Sequence, residues 1–193
     1  MRTGGKLALL AMLGFLAACQ PAMELMPPPL AFTQGHQPLF TSDAATRNAP
    51  EIPVFYATNR GVVLETQPPV YTIFPGTDLR LGTAHMRVGD GTLTWEQLNT
   101  LSTTEPEGRR PTIRLERLDE ATVLGAGRDT ANSPAAQAYF DEINRALAQS
   151  RNKDLIIYVH GANKAIYRAI GQAAQFQHFT GRDAVVLTFV WPS

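Results

Sequence analysis

Asp154-Leu155-Ile156-Ile157-Tyr158-Val159-His160-Gly161-Ala162-Asn163 is the stretch on which the fold turns. After Asp154 it is apolar without interruption to Val159. That pattern predicts a strand buried on both faces, as in a parallel sheet. The break at His160-Gly161-Ala162-Asn163 leads into a helix predicted from about Lys164 to Gln177, with Ile166, Ala169, Ile170 and Ala173 along its buried face. Thr180-Gly181 stops that helix, and Ala184 to Val190 is the next buried strand. Strand, turn, helix and strand make a βαβ unit, which places the chain in the α/β class.

Upstream, Ser133-Pro134 opens a helix, the serine as N-cap and the proline at the first helical position. Tyr139, Phe140, Ile143 and Leu147 follow as an apolar stripe at helical spacing, which is core packing. Thr112 to Leu118 alternates and predicts a strand; Gly125 to Asn132 is a loop. Thr94 with Gln97 three positions on predicts a capped short helix. Leu81 to Val88 alternates, with Ala84, Met86 and Val88 on one face and Thr83, His85 and Arg87 on the other. His85 is accordingly a half-exposed strand histidine. Ile52 to Ala57 is a short strand whose Pro53 suits a strand start or edge, and Gly61 to Gly76 is expected to be an irregular, proline-containing loop.

The N-terminus carries Arg2 and Lys6, then an apolar run from Leu7 to Leu16, then Ala17-Ala18-Cys19. The run is too short for a permanent bilayer span, which needs about 20 residues. It has the length and flanks of a secretory signal, and Leu16-Ala17-Ala18-Cys19 resembles the bacterial lipobox. That resemblance implies removal of residues 1–18 and lipid attachment at Cys19. Gln20, which is not acidic, favours the outer membrane by similarity to enterobacterial sorting. The expected partner is therefore a membrane, held through lipidated Cys19. Residues 19–50, with Pro21, Pro27-Pro28-Pro29, Pro38 and Pro50, read as an extended tether, with His36 solvated on it. Residues 51–193 are the domain.

Cys19 is the single cysteine, so an intrachain disulfide and a thiolate metal site are both excluded. The histidines, at 36, 85, 160 and 178, never fall three or four apart, so no metal site has local support and no cofactor is expected. Charge is balanced at 17 basic and 17 acidic residues, and loss of the signal leaves 15 basic. Nothing electrostatic calls for nucleic acid as a partner.

One ordered set of motifs carries a family resemblance. It comprises Val54-Phe55-Tyr56-Ala57-Thr58-Asn59-Arg60, a helix leading to Asp154 through Asn163, and a strand ending Phe189-Val190-Trp191-Pro192-Ser193. Together they resemble the DUF900 family of α/β-hydrolases, often labelled esterase- or lipase-like, over roughly residues 52–193. The resemblance implies a mostly parallel sheet with flanking helices. It also implies that the loop after the third family strand supplies a backbone N–H to an oxyanion hole. Here the donor would be Ala162 or its neighbour, on a loop motif of His160, Gly161 and Asn163. Gly161 would permit close backbone approach, His160 would shape the loop without acting as catalytic base, and Asn163 could cap the next helix. Ala162 stands where an aromatic is common in the family.

The family nucleophile follows the next strand on a Gly-x-Ser-x-Gly elbow. No such elbow occurs here: Ser42, Ser102, Ser133, Ser150 and Ser193 all lie in other settings, so no catalytic residue is present. The chain is therefore expected to be the N-terminal portion of a lipid-anchored serine hydrolase, ending after the strand that precedes the nucleophile strand and inactive as given. The alternative is a non-catalytic envelope lipoprotein. In either case residues 154–159 should form an open sheet edge, suited to self-association or a partner strand.

Overall fold

The computed structural model describes residues 23–35, 40, 43–104, 108 and 110–193. The expected signal peptide, Cys19 and His36 lie outside the described residues. The elements in chain order are β1 (Met23–Glu24), α1 (Leu30–Thr33), α2 (Ala44–Asn48), β2 (Ile52–Leu64), β3 (Val70–Val88), α3 (Trp95–Thr103), β4 (Thr112–Leu124), α4 (Pro134–Gln149), β5 (Leu155–Val159), α5 (Ile166–Phe179) and β6 (Val185–Val190). One six-stranded sheet runs β1-β4-β3-β2-β6-β5.

The α/β class stands, but the sheet is mixed and not mostly parallel. β6 is parallel to both β2 and β5, whereas β1·β4, β4·β3 and β3·β2 are antiparallel. The cause is the length of the antiparallel part. β2 and β3 are 13 and 19 residues long and meet in a hairpin that occupies much of the expected loop at Gly61 to Gly76. Pro68 and Pro69 fall in its turn, and three register shifts between Thr58 and Leu64 break the alternation that would have betrayed a strand. At Gly82 the backbone of β3 passes so close to β4 that an added Cβ would overlap the Asp119 carbonyl and the Tyr56 ring.

Two apolar layers flank the sheet. Val54, Tyr56, Ala84, Met86, Val186 and Val190 pack with Ala169, Ile170, Ala173 and Ala174 of α5. Phe55, Ala57, Leu81 and Val185 pack on the other side with Tyr139 and Ile143 of α4. The Tyr139 hydroxyl donates to the Tyr56 carbonyl at 3.1 Å, so this large ring is buried without an orphan polar atom. Ser133 caps α4 as expected, accepting from the Ala136 N–H at 3.2 Å. Ser133→Ala should cost about 1 kcal/mol, read as a lower urea midpoint at unchanged slope. Thr94 and Gln97 complete the expected capping box on α3.

Two expectations need correction. β5 is not buried on both faces: Ile156 and Tyr158 pack toward α5, while Leu155, Ile157 and Val159 on the α4 side are 38%, 64% and 56% exposed. α4 reaches β2 and β6 but leaves the outermost strand uncovered. Nor is the segment 19–50 a tether throughout. Met23–Glu24 pairs with Thr112 and Ile113, Leu25 is fully buried, and the Leu25 N–H donates to the Pro111 carbonyl at 2.7 Å. The isolated apolar residues Met23 and Leu25 find a place in the core that the surrounding prolines concealed.

Candidate functional site

β5 and β6 run parallel to β2 and end where the β2–β6 pairing stops at Thr58 and Val190, while β2 continues into its hairpin, so Arg60, His160 and Trp191 meet at one end of the parallel part of the sheet. This is where an α/β sheet places its ligands, beyond the carboxyl ends of its strands. The loop His160-Gly161-Ala162-Asn163 sits there on a braced frame. His160 is buried and stacks on Trp191, with rings 5.4 Å apart and 9° from parallel. The Trp191 indole N–H donates to the His160 carbonyl at 2.8 Å.

Arg60 fastens the frame from β2. It is only 2% exposed. Its Nε and Nη2 donate to the Trp191 carbonyl at 3.1 and 2.9 Å, and Nη2 also donates to the Lys164 carbonyl at 2.6 Å. The guanidinium therefore ties the segment after β6 to the segment before α5. Burial draws its pKa below the usual arginine range. Thr58 adds a bond from its hydroxyl to the Val190 carbonyl, and the Lys164 N–H donates to Ser193 Oγ at 3.2 Å. The role of Arg60 and Trp191 is not legible in the sequence; the one available signal is an arginine three positions past the apolar run that ends at Ala57.

Within the loop the expected residues are placed as follows. Gly161, Ala162 and Asn163 are exposed. Among the described residues nothing accepts the N–H of Gly161, Ala162 or Asn163, so the loop holds three backbone donors without a partner, that of Ala162 among them. Gly161 meets no atom within 4 Å of where a Cβ would stand, so no close approach within this chain requires a glycine there. Asn163 does not cap α5. The cap is Ala165, without a side-chain bond, and Asn163 takes a left-handed conformation at φ 55° that turns the chain into the helix. The two ring nitrogens of His160 face the carbonyls of Gly161 and Trp191 at 2.5 and 3.2 Å, and a neutral imidazole donates to one of the two.

His85 lies elsewhere, on the outer part of the sheet, between Glu51 at 3.3 Å and Asp119 at 3.2 Å. A cavity of about 420 Å³ opens at the opposite end of the sheet, beside Ile52, Pro53, Ala184 and Val185, and does not touch the loop. Among the described residues no three His, Cys, Asp or Glu side chains are grouped to hold a metal ion.

One pair invisible to sequence spacing looks catalytic and is not. His178 Nε2 lies 2.9 Å from Ser102 Oγ, 76 residues away in the chain. Arg182 Nε donates to His178 Nδ1 at 3.2 Å. Arginine has no acceptor, so Nδ1 is the bare nitrogen and Nε2 carries the proton. Nε2 therefore donates to Ser102, whose own hydroxyl donates to the Leu98 carbonyl at 2.7 Å. A base must accept the serine proton at that nitrogen, and here it is already occupied. Both residues are also sealed from solvent, at 1% and 0% exposure.

Residues 135–193, from α4 through the loop to Ser193, match the model of a family described as "Alpha/beta hydrolase of unknown function (DUF900)". No curated protein and no solved structure matches the chain.

Proposed function

We propose, on the premise that residues 135–193 are of the DUF900 α/β-hydrolase type, that this chain supplies the oxyanion half of a lipid-anchored serine esterase and is inactive by itself. The observation that carries the reading is the free Ala162 N–H, presented on a loop that Arg60, His160 and Trp191 hold rigid. Acyl transfer places negative charge on an oxygen in the transition state, and a fixed donor stabilises it without reorganising. The nucleophile elbow, absent from these 193 residues, belongs on a strand added beside β5. Such a strand would also cover Leu155, Ile157 and Val159 together with the helix that follows it. Cys19 attaches the lipid, and the outer membrane is the location that Gln20 favours.

The test is hydrolysis of a short activated ester by purified residues 20–193. The expected rate is that of buffer. Serine-dependent turnover by this chain alone would overturn the reading. Sequencing the gene past the codon for Ser193 is the companion test: an in-frame strand and Gly-x-Ser-x-Gly elbow supports the proposal.

The exposed apolar face of β5 also favours a second reading, a binding module that pairs there with itself or a partner. If it self-associates through this edge, Ile157→Lys will shift sedimentation from oligomer to monomer at unchanged thermal midpoint. A wild-type monomer that captures no partner counts against it.

A further inference from the structure

The same residues that displace the tether determine how the domain meets its membrane. β1 begins at Met23, four residues after Cys19. Four peptide steps reach at most about 14 Å when fully extended. Beyond that point the chain is pinned. Leu25 is fully buried, and the Met26 N–H donates to Gln175 Oε1 at 2.5 Å. The Met23 side chain lies over Gly171 of α5 so closely that a Cβ there would come within 2.8 Å of it. Burial of the Leu25 side chain holds the strand in the core, and the surrounding bonds add to that.

From the lipidation reading above, together with this pinned strand, we infer that the folded domain rests directly on the bilayer surface through its β1/β4 edge. Met23 pairs with Ile113, so Arg114 is one step along β4 toward the anchor. The exposed face of β4 carries Arg114, Glu116 and Arg117, side chains compatible with zwitterionic headgroups. β5 lies five strand spacings away, about 24 Å at the usual separation. The open edge and the Ala162 loop therefore lie across the sheet from the anchor, and a completing strand adds on the side away from it. The prolines at 27–29 come after the pin and contribute nothing to reach.

The test uses the full chain, processed in bacteria and reconstituted into phosphatidylcholine vesicles that contain a headgroup-labelled quenching lipid. Single probes are attached through Arg114→Cys and Asp154→Cys, both exposed positions. Intact mass first establishes whether Cys19 is acylated. With acylation present, the Arg114 probe should be quenched several-fold more than the Asp154 probe. A flexible insert of about 30 residues between Gln20 and Pro21, spanning about 30 Å on average, should abolish most of that difference. Equal quenching at the two positions, or quenching at Arg114 unaffected by the insert, overturns the proposal while leaving lipidation intact. A Cys19 without acyl mass overturns the anchor reading and this proposal with it.

Discussion

Replacing Arg60 by leucine is expected to lower the unfolding free energy by about 2–5 kcal/mol and to release the Ala162 loop. The side chain is buried, and its charge is balanced by backbone carbonyls; among the described residues no carboxylate lies within ion-pair distance. Leucine leaves the Lys164 carbonyl without its donor and the Trp191 carbonyl with only the His160 ring at 3.2 Å, and each acceptor that loses its bond away from water costs about 1–3 kcal/mol. Against a total of about 5–15 kcal/mol for a domain, that is a large share. The check is urea unfolding, with a lower midpoint at unchanged slope, accompanied by faster amide exchange at Lys164, whose N–H donates to Ser193 Oγ. Arg60→Lys should recover only part, because one ammonium cannot reproduce the planar fork that serves two carbonyls. A stability within about 0.5 kcal/mol of wild type, the range of an ordinary surface change, would mean that the frame is held without Arg60, by the His160–Trp191 stack and the bonds of Trp191, Thr58 and Lys164.

The βαβ unit was legible because continuous apolar runs and a helical stripe are local signals. Val185–Val190 and α5 fall within two residues of their expected limits. What the sequence could not convey was what covers each element. Leu155, Ile157 and Val159 have the composition of a core strand, but coverage depends on a neighbour, and α4 does not extend over them. The β2–β3 hairpin was lost to its own bulges and prolines, and β1 is two residues long, below any periodicity. The loop motif was legible through resemblance; its bracing by Arg60 was not, since Arg60 and Lys164 are 104 residues apart. The same limit applies to Ser102 and His178, whose chemistry is decided by a third residue, Arg182.

That third residue leads to the other large prediction, a loss of stability on acidification between about pH 6.5 and pH 3. Burial, reinforced by the neighbouring Arg182 charge, pulls the His178 pKa from 6.5 down to about 3. In the unfolded chain the imidazole regains its ordinary affinity, so between those two values the unfolded state binds the extra proton. Stability then rises with pH across that window and is lost as pH falls through it. Each tenfold difference in proton affinity is worth about 1.4 kcal/mol, so the window carries on the order of 5 kcal/mol. Few groups face the ring: Arg182 at Nδ1, Ser102 at Nε2, and the rings of Phe40 and Phe179. None of them carries a negative charge, and Arg182 both repels an imidazolium and leaves its Nδ1–H without an acceptor. Urea midpoints at pH 7 and pH 4 should therefore differ markedly for the wild type and much less for His178→Gln, which keeps an acceptor for Arg182 and a donor for Ser102 but has no proton to gain. If the two proteins lose stability in parallel, the acid sensitivity belongs to other groups and His178 is protonated in the folded state at a higher pH than its burial implies.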